Sequence, residues 1–301
     1  MGIADSIPGV SGGTIAMIVG IYERLVSAIS SFDAEFLSLL FGKKIKAAFK
    51  HADLGFLGTL LFGIIVGLGG SSVVMHHLLK NHLPVTFAAF MGMILASVLI
   101  LFNRIQKKTF ACGIAMALGT FAAYFVTTMN PMIGQDSNLL YIFVCGLVAI
   151  CAMILPGISG SYILLILGEY AQIISRVKDL VHLKTTPGDF LTLCVFGIGC
   201  VLGLLAFSRL LKFLLKKYHG IMLSLLTGFM LGSITCLWPF QKMTTTLDGH
   251  MKFERLGMSA FSTQDQIYVL CALLAGLLGV LLLEHIALSL PIAGALKGSQ
   301  K

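Results

Sequence analysis

Two short clusters of hydroxyl and glycine residues offer the most usable chemistry in this chain. Ser11, Gly12, Gly13 and Thr14 follow the dipeptide Pro8-Gly9, and Ser159, Gly160 and Ser161 follow Pro156-Gly157. A Pro-Gly-x-Ser-Gly turn that opens a helix leaves backbone N–H groups with no acceptor inside the helix. Serine and threonine add O–H donors, while glycines remove the side chains that would block close approach. Donors converging on the positive end of a helix suit a phosphate or a similar anion. The same small residues also let membrane helices pack closely, and for one copy alone the two readings weigh about equally.

Two copies shift that balance toward a binding site. Sliding the chain along itself so that Pro8 falls on Pro156 also brings Gly9 onto Gly157, Ser11 onto Ser159, Gly12 onto Gly160, Gly20 onto Gly168 and Tyr22 onto Tyr170. The likeness continues, because Phe62-Gly63-Ile64 resembles Phe196-Gly197-Ile198 and Gly92 to Ser97 resembles Gly228 to Ser233. The chain therefore reads as one membrane domain made of two repeats, residues 1–138 and 139–301. Duplication of this kind is a common framework for transporters.

The elements that must position these clusters are membrane helices. With 57% hydrophobic and 11% charged residues, and a mean hydropathy of +0.95, the chain lacks the polar side chains to cover a water-soluble globule. The net charge of +8 sits in short Lys/Arg clusters between long apolar runs. That pattern belongs to loops beside an anionic leaflet and excludes a basic nucleic-acid-binding domain. All seven cysteines lie in apolar segments without a CxxC pair, and the histidines show no ligand spacing, so neither disulfide, metal nor cofactor is expected. The first residues carry no signal-peptide pattern.

Taken in order, residues 11–30 read as one helix after a Pro/Gly lead-in, and residues 31–53 as an amphipathic interfacial segment rich in Phe, Leu and Lys. Spans are expected at 54–79, 84–102 and 109–128. Residues 139–155 and 156–175 form an apolar pair broken by the second motif, which fits a re-entrant hairpin. Further spans at 189–215, 220–240 and 266–288 complete an all-α polytopic fold. Each repeat then holds one re-entrant or broken hairpin with the motif and about three transmembrane helices. If the first hairpin faces the cytoplasm, three spans put the second on the opposite side. Fourteen of the 21 Lys and Arg residues then fall on the cytoplasmic side. The repeats are thus expected to be inverted, enclosing one central site with alternating access.

Ionisable residues in or beside apolar segments are candidates for headgroup contact or ion coupling. They are Asp5, Glu23, Arg24, Glu169 and Arg209. Arg24 is equally suited to guide an anionic headgroup or to mark the positive side. Glu23 and Glu169 are candidates for a coupling proton, against the plainer reading of a salt bridge. Arg209 reads more readily as a helix anchor and Asp5 as a cap.

The run Gly2-x-x-Asp5-x-x-Pro8-Gly9-Val10-Ser11-Gly12-Gly13-Thr14, then Gly20-Ile21-Tyr22-Glu23, with Pro156-Gly157-Ile158-Ser159-Gly160-Ser161 later, resembles the polyprenyl-phosphate transporter family, long known only as a domain of unknown function. The resemblance covers almost the whole chain. It implies a non-enzymatic flippase in the bacterial cytoplasmic membrane. Its substrate would be undecaprenyl phosphate, moved from the outer to the inner leaflet so that the carrier of peptidoglycan precursors is recycled. A coupling ion, proton or sodium, and an oligomer fit such a protein. One departure is that only six residues precede Ile7, where family members usually have more, so either the chain starts late or the first hairpin is incomplete. The alternatives are a membrane phosphatase acting on polyprenyl pyrophosphate and an ion-coupled carrier of a small anion.

Overall fold

The structure is a computed structural model that describes residues 1–2, 11–105, 107–129, 138–245 and 251–289. Helix α1 spans Gly12–Val19, with Ser11 as its N-cap accepting the Gly13 N–H at 3.1 Å. The expected single helix over residues 11–30 is in fact two. Gly20 takes φ +78°, its N–H bonds Met17 O and the Ile21 N–H bonds Ala16 O, which closes α1 in a left-handed cap. Helix α2, Tyr22–Ser30, then leaves at 115°. A glycine followed by a short polar run reads in sequence as a tolerable interruption, but here it ends the helix.

Two short helices follow, α3 (Ala34–Phe41) and α4 (Ile45–His51). Asp33 caps α3 by accepting the Phe36 N–H at 2.9 Å. Leu37, Leu40, Phe41, Ile45 and Phe49 are exposed alongside Lys43, Lys44, Lys46 and Lys50, so the pair presents a mixed apolar and basic surface.

Arg24 of α2 ties this segment down by donating to both carboxylate oxygens of Asp53, at 2.7 and 3.2 Å. The Arg24 side-chain hydrogen bond holds the Asp53 carboxyl below the ordinary carboxylate range. Because the folded-state pKa is depressed, the pair stabilises the fold above pH ~4 and that contribution is lost as pH falls through the folded value. Both groups are substantially exposed, so its worth is at most ~1 kcal/mol. Asp53→Asn is expected to lower the unfolding temperature slightly at pH 7, with the difference from the parent protein shrinking as pH falls below the ordinary carboxylate range, in paired thermal melts.

The spanning helices are α5 (Leu54–Asn81), α6 (Leu83–Arg104), α7 (Phe110–Thr128), α11 (Pro187–Lys217), α12 (His219–Ser233) and α13 (Thr263–Ser289). Among the described residues, six stretches are long and apolar enough to cross a membrane, or seven if the bent α1–α2 pair is counted as one span. The chain is a multi-pass membrane protein. Between α7 and α11 lie α8 (Leu139–Ile154), α9 (Gly160–Ile166) and α10 (Tyr170–Val181). The α9–α10 bend repeats the α1–α2 bend: Gly168 has φ +79°, its N–H bonds Leu165 O and the Glu169 N–H bonds Leu164 O. One feature was not expected from sequence. After a short 3-10 extension of α12, strands β1 (Gln241–Thr245) and β2 (Met251–Arg255) pair antiparallel in a polar, Thr-rich connector.

The chain divides into two contact units, Met1–Ser72 with Gln106–Ser233, and Val73–Ile105 with Ile234–Lys301. In the first, α8 packs along α11 and α7 along α12. In the second, α6 packs along α13, with Ala88, Phe240 and Val269 buried beside Trp238. Lipid tails are as apolar as these side chains, so close backbone approach rather than expulsion of water drives such pairing.

The α6–α13 and α7–α12 crossings have the same construction. Gly92 faces the backbone of Leu273 while Gly276 faces that of Ala89. Likewise Gly228 faces Met116 while Gly119 faces Leu225, so that on all four helices the two contacting residues stand three positions apart. A Cβ at any of these glycines would collide with a carbonyl oxygen of the facing helix. Each crossing joins a helix from residues 1–138 to one from 139–301.

Candidate functional site

The two motif clusters, 148 positions apart by the alignment of Pro8 with Pro156, meet in the first contact unit. Thr14 is fully buried, and its Oγ1 accepts the Gly157 N–H at 2.9 Å. Ser11, 2% exposed, lies with its Oγ at 3.4 Å from Leu155 O and 3.5 Å from Met153 O. These contacts dock the start of α1 against the turn joining α8 to α9. Glycine makes the approach possible: a Cβ on Gly13 would stand 2.8 Å from Ile154 O, and one on Gly160 would stand 2.6 Å from Ala149 O. Gly12 is buried as well.

The turn is held from its other side as well. Gly157 has φ +85° and packs on the α12 backbone at Phe229 and Met230, while Ile158 is buried among Ala123, Ala152 and Phe229. What this clamp presents outward is the second hydroxyl pair. Ser159 Oγ and Ser161 Oγ lie 2.8 Å apart, Ser159 half-buried and Ser161 exposed.

The clusters are therefore not equivalent. Hydroxyls of the first face the backbone of the second, and hydroxyls of the second face outward. Tyr162, which aligns with Thr14, donates its hydroxyl to Thr127 O of α7 at 3.1 Å. Helices α1 and α9 have 8 and 7 residues, so few peptide dipoles add along either axis. Hydroxyls and turn amides outweigh a helix macrodipole in what this site offers an anion.

The arms behind the clusters attach to opposite ends of α11. At its N-terminal end, Arg176 of α10 donates to Asp189 at 3.1 Å. Near its C-terminal end, the Arg209 guanidinium donates to Phe32 O just beyond α2 at 2.7 Å, and His219 pairs with Glu23 of α2 at 2.8 Å. Arg24 is paired with Asp53 and lies 4.3 Å from the Phe56 ring centre. Glu23, Arg24 and Arg209 thus sit with the α2 arm. Glu169 is separate from them, 1% exposed at the Gly168 bend, where its helix packs on Ile142 and Cys145 of α8. Asp5 lies outside the described residues, as do Pro8 and Gly9.

Sequence reasoning missed the partners rather than the clusters. Asp53 for Arg24, His219 for Glu23 and Gly157 for Thr14 are brought together only by the fold, and neither spacing nor residue type announces them. The Tyr22–Tyr170 alignment marked the two arms, yet Tyr22 is 1% exposed and Tyr170 37% exposed.

A family described as undecaprenyl phosphate translocase-like (VCA0040-like) matches residues 1–254. A polyprenyl-phosphate transporter of Vibrio cholerae is 38% identical over 242 residues, covering 80% of this chain and 76% of that protein. A polyprenyl-phosphate transporter of Staphylococcus aureus is 29% identical over 250 residues, covering 79% of this chain and 83% of that protein. No solved structure matches. These relatives are named as transporters, not enzymes. With the family match running through both hydroxyl clusters and all but the last spanning helix, the chain belongs to the undecaprenyl phosphate translocase-like family.

Proposed function

We propose that this protein carries a polyprenyl phosphate, undecaprenyl phosphate in the first instance, from the outer to the inner leaflet of a bacterial cytoplasmic membrane. The single observation that carries this reading is the meeting of two motif tips whose arms hold opposite ends of one spanning helix. Between Asp189 and Arg209 α11 rises about 30 Å, the thickness of a hydrocarbon core. Tips that reach each other from anchors so far apart converge deep in the membrane. A phosphate crossing hydrocarbon needs polar groups there, whereas a polyprenyl tail stays in lipid throughout. Named function in the relatives supplies the lipid.

Helix direction supports inverted repeats. Met116 faces Gly228 and Thr120 faces Gly232, so α7 and α12 run the same way. Only α11 crosses fully between them if α8 and α9 turn back as a re-entrant hairpin. A full crossing there would make α7 and α12 antiparallel. The matching α6–α13 and α7–α12 crossings support a duplication in which each repeat lends a helix to the other. In this reading, the Ser159 and Ser161 hydroxyls with neighbouring turn amides receive the phosphate. Ser11, Gly12, Gly13, Thr14 and Gly160 shape that receptor, and the halves alternate access around it. Glu169 is the buried carboxyl suited to ion coupling, and Arg24 and Arg209 stand on the cytoplasmic side where the headgroup leaves.

The test is leaflet transfer in liposomes of defined sidedness, using labelled undecaprenyl phosphate and the purified protein. Transfer well above protein-free vesicles is the expected result. Transfer of inorganic phosphate or chloride without lipid transfer would replace this reading with a small-anion carrier, and phosphate release from polyprenyl pyrophosphate would replace it with an enzyme.

A further inference from the structure

We propose that Thr14 is a positioning residue of the phosphate site, acting across the repeat boundary on Gly157 rather than touching the lipid itself. This deepens the proposed function and rests on that reading. Thr14 has no exposed surface, and its Oγ1 takes the Gly157 N–H at 2.9 Å. Gly157 lies in the turn between α8 and α9, two residues before Ser159. Its φ of +85° is a conformation that most residues avoid, so the turn needs external support.

That support comes from two sides. The α12 backbone at Phe229 and Met230 backs Gly157, and the start of α1 closes over it through Thr14, Ser11 and Gly13. Losing one wall would leave Gly157 with an amide cut off from both water and a partner, a state that buried amides avoid. The turn would then shift to find an acceptor, and the Ser159–Ser161 pair would shift with it. A displacement of ~1 Å is enough to cost a positioned site much of its selectivity for the bound state.

The second cluster uses its residues differently. Tyr162, which aligns with Thr14, donates its hydroxyl to Thr127 O of α7, and the Ser159–Ser161 pair faces outward.

The experiment compares Thr14→Ser, which keeps the acceptor, with Thr14→Val, which keeps the shape and removes it. Both are measured for undecaprenyl phosphate transfer across a range of lipid concentrations, beside Ser159→Ala. Thr14→Ser is expected to stay within about twofold of the parent protein. Thr14→Val is expected to lose ~10-fold in transfer at sub-saturating lipid, the equivalent of one hydrogen bond of about 1.4 kcal/mol. Its half-saturating lipid concentration should rise, a change that simple loss of folded protein does not produce. Amide hydrogen exchange over residues 155–161 gives a second readout, with faster exchange expected in Thr14→Val only. Parent-like transfer and exchange in Thr14→Val, with Ser159→Ala impaired, would overturn the positioning role and leave the phosphate site standing. If Ser159→Ala transfers normally, the phosphate site itself falls, whatever Thr14→Val does.

Discussion

Ser159→Ala combined with Ser161→Ala is expected to reduce undecaprenyl phosphate transfer by about 100-fold or more while leaving the folded protein intact. A hydrogen bond to a charged group contributes ~1.5–3 kcal/mol, so each hydroxyl that meets a phosphate oxygen accounts for roughly 10-fold to 100-fold. The two hydroxyls lie 2.8 Å apart, close enough to bond two oxygens of one phosphate. Neither is walled in, and truncation to alanine opens no cavity behind Ser161, which is exposed. Stability should therefore be nearly unchanged, which separates this double variant from changes at Ser11, whose side chain caps α1 and lies against the backbone of the other motif. The readout is initial transfer rate in liposomes at matched protein content, with thermal melts on the same preparations. Transfer within threefold of the parent protein would show that the phosphate is held elsewhere.

Gly157→Ala is expected to be the most damaging single methyl addition at the site. Two costs combine. A left-handed backbone at φ +85° costs a non-glycine residue ~1–2 kcal/mol. The new Cβ would also stand 2.7 Å from Phe229 O and 3.0 Å from Met230 Cα, both backbone atoms of α12 that cannot rotate away. Overpacking of this kind costs ~1–3 kcal/mol, for a total of about 2–5 kcal/mol. Gly197→Ala is the control: it sits within α11 with nothing in reach of an added Cβ, and alanine is the better helix former. A thermal melt in detergent should show Gly157→Ala unfolding well below the parent protein and Gly197→Ala at or slightly above it. Equal melting of the two variants would mean that the turn adapts freely and is not clamped.

Much of this fold was legible in the sequence because membrane spans announce themselves by length and apolarity. The spans expected at 54–79, 84–102, 109–128 and 189–215 fall within a few residues of α5, α6, α7 and α11. Both motif clusters were legible too, since Pro and Gly in duplicate are rare by chance. The break at Gly20 was harder to read: glycine inside an apolar run is common in membrane helices, and only the tertiary setting decides whether it bends the chain. The pairing of helices was not legible at all. Gly92, Gly119, Gly228 and Gly276 look alike in sequence, and nothing along the chain says which glycine faces which helix. The unequal fates of Thr14 and Tyr162 were hidden for a related reason, because alignment equates positions while packing distinguishes them.

The packing of α6 on α13 also sets a timetable for making the protein. Helix α6 is complete at Arg104, but the helix it packs against begins at Thr263, about 160 residues later. At roughly 5–20 residues per second, the ribosome needs on the order of 10–30 s to supply it. Throughout that interval the glycine face of α6 has only lipid, or a biogenesis factor, to cover it. Chains that stop before α13 therefore leave an early-inserted helix without its partner, a defined species for membrane quality-control proteases to recognise.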